Sequence, residues 1–140
     1  MRTFRGIGRA VSVLAAAVTG VALGTGPAAA VPIGQPLTGK MTYYNDKGYG
    51  ACGTSIDPTA QDLVAVSPTW WTSANPNNDP LCSGVSVEVS YQGRTITVPV
   101  RDKCFSCDPN HIDLSESAFR KLVPPGTDMV PSVTWKFVNG

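Results

Sequence analysis

The chain is poor in the residues that most often carry chemistry. It has one histidine, His111, and four cysteines in 140 residues. There is one Cys-x-x-Cys, at Cys104 and Cys107, with no second pair and His111 four residues on, so the ligand spacing of a zinc site is missing. A redox-active Cys-x-x-Cys would sit in a thioredoxin-like βαβ pattern, and none surrounds this one. No cofactor or metal is expected. Charged residues make up only 15% of the chain and leave a net charge of +1. That gives no basic surface for nucleic acid or an anionic membrane. No apolar run reaches the ~20 residues of a membrane span. There are no internal repeats, and no cysteine precedes Cys52 to serve as a lipoprotein anchor.

The N-terminus reads as a targeting segment. Arg2, Arg5 and Arg9 form a basic start, Val11 to Leu23 is apolar, and Gly26-Pro27 leads to Ala28-Ala29-Ala30. This is the pattern of a secretory signal peptide, residues 1–30, cut after Ala30. The mature part, Val31 to Gly140, holds eight basic and ten acidic residues, a net charge of −2. It is long enough for one small domain and is expected to be a free extracellular monomer. Four cysteines in such a domain imply two disulfides. Three pairings are possible. Cys104 and Cys107 are near enough to close a small ring, which leaves Cys52 with Cys82.

The local patterns are those of short strands. Residues 31–37 are rich in proline and glycine and read as a flexible tail with accessible Gln35 and nearby Lys40. Leu37 to Tyr44 is a strand, and Asn45 to Gly53 is a glycine-dense loop. Asp62 to Ser67 is a short buried strand, followed by Ser67-Pro68 as the start of a helical turn carrying Trp70 and Trp71. Val85 to Tyr91 and Arg94 to Val100 alternate apolar and polar around Gln92-Gly93, a hairpin. After the Cys104–Cys107 loop, Ser115 caps a short helix burying Ala118, Phe119 and Leu122. Val130 to Val138 alternates again. Six or so strands with short helices and two disulfides predict a mainly β chain closed into a small barrel.

Several motifs occur in a set order: Gly50-Ala51-Cys52-Gly53, Leu81-Cys82, Val100-Arg101-Asp102-Lys103-Cys104 with Cys107, His111-Ile112-Asp113-Leu114-Ser115, and Ala118-Phe119. Together they resemble the double-psi β-barrel of the rare lipoprotein A, expansin and barwin superfamily, across nearly all of residues 38–138. The resemblance implies a six-stranded double-psi β-barrel over residues 38–140. Within that superfamily the one-domain size, signal peptide and four cysteines resemble the small secreted actinobacterial inhibitors of papain-like cysteine proteases. That likeness implies non-covalent occlusion of a protease cleft and no catalysis.

The alternative that the superfamily carries is work on cell-wall polysaccharide. Asp113 stands where the family's acid lies, and Thr42-Tyr43-Tyr44-Asn45-Asp46 resembles the segment bearing the second aspartate of family-45 endoglucanases. Glycoside cleavage needs two such carboxyls. The histidine that lytic relatives carry well before the aspartate is absent. Read structurally, Asp113 satisfies free N–H groups at the helix start, Asp46 forms a turn, and Asp102 pairs with Arg101 or caps the next loop. The aromatic residues Tyr43, Tyr44, Tyr49, Trp70, Trp71 and Phe105 are candidates for contact with sugar rings or a protein partner. Trp70 and Trp71 are adjacent, so one is core and the other partly exposed; Trp135 is core. A third reading is a protein cross-linked through Gln35 or Lys40.

Overall fold

The computed structural model describes residues 31–140. The expected signal peptide, residues 1–30, lies outside the described residues. The strands in chain order are β1 (Leu37–Tyr44), β2 (Gly48–Tyr49), β3 (Ser55–Ile56), β4 (Val64–Val66), β5 (Val85–Tyr91), β6 (Arg94–Lys103), β7 (Ile112–Ser115) and β8 (Met129–Asn139), with one helix, α1 (Glu116–Leu122). Six of them close a barrel in the order β1-β7-β4-β6-β5-β8, while β2 and β3 form a separate ribbon. The mainly β, six-stranded barrel expected from the sequence is therefore what forms. Two strand pairs are parallel, β1 with β7 and β4 with β6, and the others are antiparallel. Parallel neighbours need crossovers rather than hairpins, so segments far apart in sequence become adjacent.

Period-2 alternation builds the interior. Met41, Val64, Val66, Val87, Val89, Val98, Val100, Ile112, Leu114, Trp135 and Phe137 are all at most 1% exposed. Phe119 and Leu122 of α1 and Leu81 pack against this interior. Burying a side chain of this size contributes roughly 1.5–3 kcal/mol. The helix starts at Ser115, whose hydroxyl accepts from Ala118 N–H (3.3 Å) and Leu63 N–H (3.1 Å). Disulfides join Cys52 to Cys82 and Cys104 to Cys107.

Two local expectations change. Residues 112–115 form a strand that no local pattern announces, because four residues are too few to show a period. Ile33 bridges to Phe137, and Gly34 N–H donates to Phe137 C=O at 2.7 Å, so the segment read as a flexible tail touches β8. Lys40 is exposed on β1, within the strand expected over Leu37 to Tyr44.

Candidate functional site

The same alternation that sends Met41, Ile112, Leu114, Val64 and Val66 inward sends Thr42, Asp113 and Ala65 outward. Backbone register lines them up: Thr42 lies opposite Asp113, and Asp113 opposite Ala65. Strict alternation on β6 would turn Asp102 inward with Val100. A register shift prevents this, since Val64 pairs with Val100 but Ala65 with Asp102. This irregularity puts Asp102 in the same outward row as Asp113. Ala65 between them has only a methyl group, so the row stays open as the floor of a groove of about 390 Å³.

Two loops wall the groove. One carries Asp46 and Lys47 and continues into β2 with Tyr49; the other runs from Lys103 to Ser106. Both are braced. The first continues to Cys52, tied to Cys82, and its backbone packs on β6. A Cβ on Gly50 would lie 2.5 Å from Arg101 O, so only glycine fits that approach. The second is closed by the Cys104–Cys107 ring. Tyr49 is 82% exposed and Phe105 is 84% exposed, one on each wall. The Lys103 ammonium sits 5.4 Å from the Trp71 ring centre and 5.6 Å from that of Phe105, a cation–π contact to each.

The floor carboxyls differ. Asp102 does not pair with Arg101. It accepts from Ala51 N–H and Lys103 N–H, both at 2.9 Å, and from the Tyr44 hydroxyl at 3.1 Å. Burial and the Asp102 charge push the Tyr44 hydroxyl upward, so it stays a donor. Asp113 caps no helix; that role belongs to Ser115. Its carboxylate accepts one hydrogen bond, from Thr42 Oγ1 at 2.9 Å. Burial, with the Asp102 and Asp46 charges, outweighs that bond and raises the Asp113 carboxyl to about 6. Behind Thr42, His111 Nε2 lies 2.7 Å from Oγ1. Burial and the Lys40 charge lower the His111 imidazole below its ordinary range.

Of the residues singled out from sequence, the groove gathers Tyr44, Asp46, Tyr49, Phe105 and Asp113. Asp102 lines it too, while the other candidate aromatic residues lie outside it. Tyr43 packs on Phe119 (5.0 Å between ring centres) and under Arg120. Trp70 donates to Pro109 C=O at 2.8 Å and meets Phe137 edge-on. Trp71 is 8% exposed, and Trp135 is buried. Tyr43, Tyr44, Trp70 and Trp71 thus form no common platform. Gln35 and Lys40 are exposed and do not line the groove. Thr42, Ala65 and Lys103 were not singled out. Their signal is the register of parallel pairing, which no local pattern displays. Among the described residues no group of His, Cys, Asp or Glu is arranged to hold a metal, and no helix is long and apolar enough to cross a membrane.

A closed six-strand barrel with a loop-walled groove over paired carboxyls defines the class as a double-psi β-barrel. The chain belongs to the double-psi β-barrel family described as lytic transglycolase, whose pattern matches residues 37–134. It is 65% identical over 143 residues to the papain inhibitor of Streptomyces mobaraensis, covering 99% of this chain and 100% of that protein. The solved Streptomyces papain inhibitor superposes with a TM-score of 0.77 at 70% identity, covering 78% of this chain and 99% of that one. The apo expansin of Clavibacter michiganensis matches with a TM-score of 0.61 at 27% identity, covering 75% of this chain and 51% of that one.

Proposed function

We propose that the protein inhibits papain-like cysteine proteases outside the cell, by non-covalent occlusion of the active-site cleft. The observation that carries this reading is the 65% identity to a papain inhibitor along that protein's whole length. The structure supports a site for it. Tyr49 and Phe105 project from two braced loops on either side of one groove, and rigid aromatic anchors of this kind carry most of the energy in protein interfaces. Bracing lowers the ordering cost of binding. Mature protein beginning at Val31 is expected to abolish papain activity at near-stoichiometric ratio, with no cleavage product or covalent adduct by mass spectrometry. Phe105→Ala and Tyr49→Ala should each weaken inhibition about 30-fold or more. Met129→Ala, which removes an exposed apolar side chain away from the groove, should leave it unchanged. Failure of the unmodified protein to slow papain at large molar excess would sink the proposal.

A second reading is action on or binding of cell-wall polysaccharide. It is favoured by one observation: Asp113, raised to about 6, shares an open groove with Asp46. Glycoside cleavage needs two carboxyl groups flanking the scissile bond, and a raised one can serve as the acid. This reading predicts release of soluble sugar from peptidoglycan or glucan that Asp113→Asn abolishes. Activity retained by that variant would remove Asp113 from any such chemistry.

A further inference from the structure

We propose that His111, Thr42 and Asp113 form a proton relay along the outer face of β1 and β7, in which a change of charge on Asp113 at the groove floor is matched by a change of tautomer at His111. The geometry fixes the direction of each bond. Thr42 has one hydroxyl proton, and with Asp113 ionised that proton points at the carboxylate, 2.9 Å away. Thr42 Oγ1 must then accept from His111, 2.7 Å away, so Nε2 carries the ring proton. When Asp113 holds a proton, the bonds reverse. The carboxyl donates to Thr42, Thr42 donates to Nε2, and the neutral ring must carry its proton on Nδ1.

The step balances with a proton from the solvent. Hydronium gives a proton to Nδ1 and becomes water, Nε2 passes its proton to Thr42 Oγ1, and Thr42 passes its own to Asp113 Oδ1. Three bonds to hydrogen form, three break (one of them in hydronium), and the protein gains one proton overall. The groups around the relay favour this neutral-ring path. His111 is 8% exposed and faces the Lys40 ammonium on β1, both of which disfavour imidazolium; Asp108 opposes them weakly. Asp113 faces Asp102 on β6 and Asp46 beyond β1, which favour its protonation; β4 brings only Ala65. Lys47, Lys103 and the Tyr44 hydroxyl also line the groove, and that hydroxyl is spent on Asp102. Because His111 does not line the groove, the relay can change the charge of the floor while a partner covers it.

His111 is the only histidine, so one ¹⁵N-histidine label reports on it without overlap. Ring ¹⁵N shifts and the Asp113 ¹³Cγ shift would be followed from pH 8 to pH 4.5. The expected result is an Nε2–H ring above the transition and an Nδ1–H ring below it, both nuclei sharing a midpoint near the Asp113 value of about 6. Thr42→Val should abolish the ring response while amide spectra stay folded, and Thr42→Ser should restore it. Should Thr42→Val unfold, Asp113→Asn decides: the ring step near pH 6 must vanish. A His111 that keeps one tautomer as Asp113 titrates, becomes imidazolium with it, or responds equally in Thr42→Val or Asp113→Asn, overturns the relay.

Discussion

Asp79 and Asp113 are both carboxyls taken largely out of water, and they end in opposite states. Asp79 is 0% exposed in the turn region before β5. Burial alone would raise it. Three backbone donors, Thr72 N–H (2.7 Å), Ser73 N–H (2.9 Å) and Leu81 N–H (3.0 Å), overcome that and leave it lowered. Asp113 is less buried but has one donor and two acidic neighbours, and it is raised. The number of N–H groups aimed at the carboxylate decides the outcome, not depth. Asp79 is a fixed knot that holds the Pro76–Asn78 and Pro80–Cys82 turns and seats Cys82 for its disulfide. Asp113 is left under-satisfied at the floor of the groove, where its charge can change.

The largest test of this comparison is Asp79→Ala. It orphans three N–H groups in a buried loop and is expected to cost about 3 kcal/mol or more by urea denaturation at pH 7. Asp113→Asn should act with the opposite sign. With a folded value near 6 and an ordinary unfolded one, the unfolded chain loses its proton first as pH rises. Stability from this group is therefore greatest below pH 4, falls between pH 4 and pH 6, and stays low above. Asp113→Asn should stabilise the protein by about 1–2 kcal/mol at pH 7 and by almost nothing at pH 4. An Asp113→Asn variant less stable than the parent at pH 7 would mean that the carboxylate is anchored like Asp79.

The disulfides sharpen the same contrast. Opening the Cys104–Cys107 ring with paired serines should cost about 2 kcal/mol by loop-closure entropy, against about 3.5 kcal/mol for the larger Cys52–Cys82 loop. The smaller ring should nevertheless weaken papain inhibition more, because it holds Phe105. The smallest stability effect is expected for Phe105→Ala, within about 0.5 kcal/mol, since the ring is exposed. Thermal melts beside inhibition titrations on these variants separate loss of fold from loss of contact surface.

Much of this was legible in local pattern. Alternation marks the β5–β6 hairpin and β8 because each strand is long enough to show a period of two, and β-branched and aromatic residues mark β1. Ser115 and Ser67 announced their caps because the signal is a single side chain beside its own N–H partners. β7 carries no clear local signal because its four residues, Ile112 to Ser115, are too few to show a period. The exposed aromatics were named together, yet only Tyr44, Tyr49 and Phe105 reach the groove. Composition cannot tell a Tyr43 stacked under Arg120 from a Tyr49 standing in solvent.

The sequence by itself determined a small β-rich chain, its disulfide count, its hairpin and the inward face of its long strands. All of these rest on short-range periodicity and spacing. Only the tertiary structure decided the site. The parallel pairings of β1 with β7 and β4 with β6 join segments dozens of residues apart, and the shift on β6 turns Asp102 outward beside Ala65 and Asp113. Long-range register sets which side chains share a face, and with it the charge of Asp113 and the hydroxyl and histidine behind it.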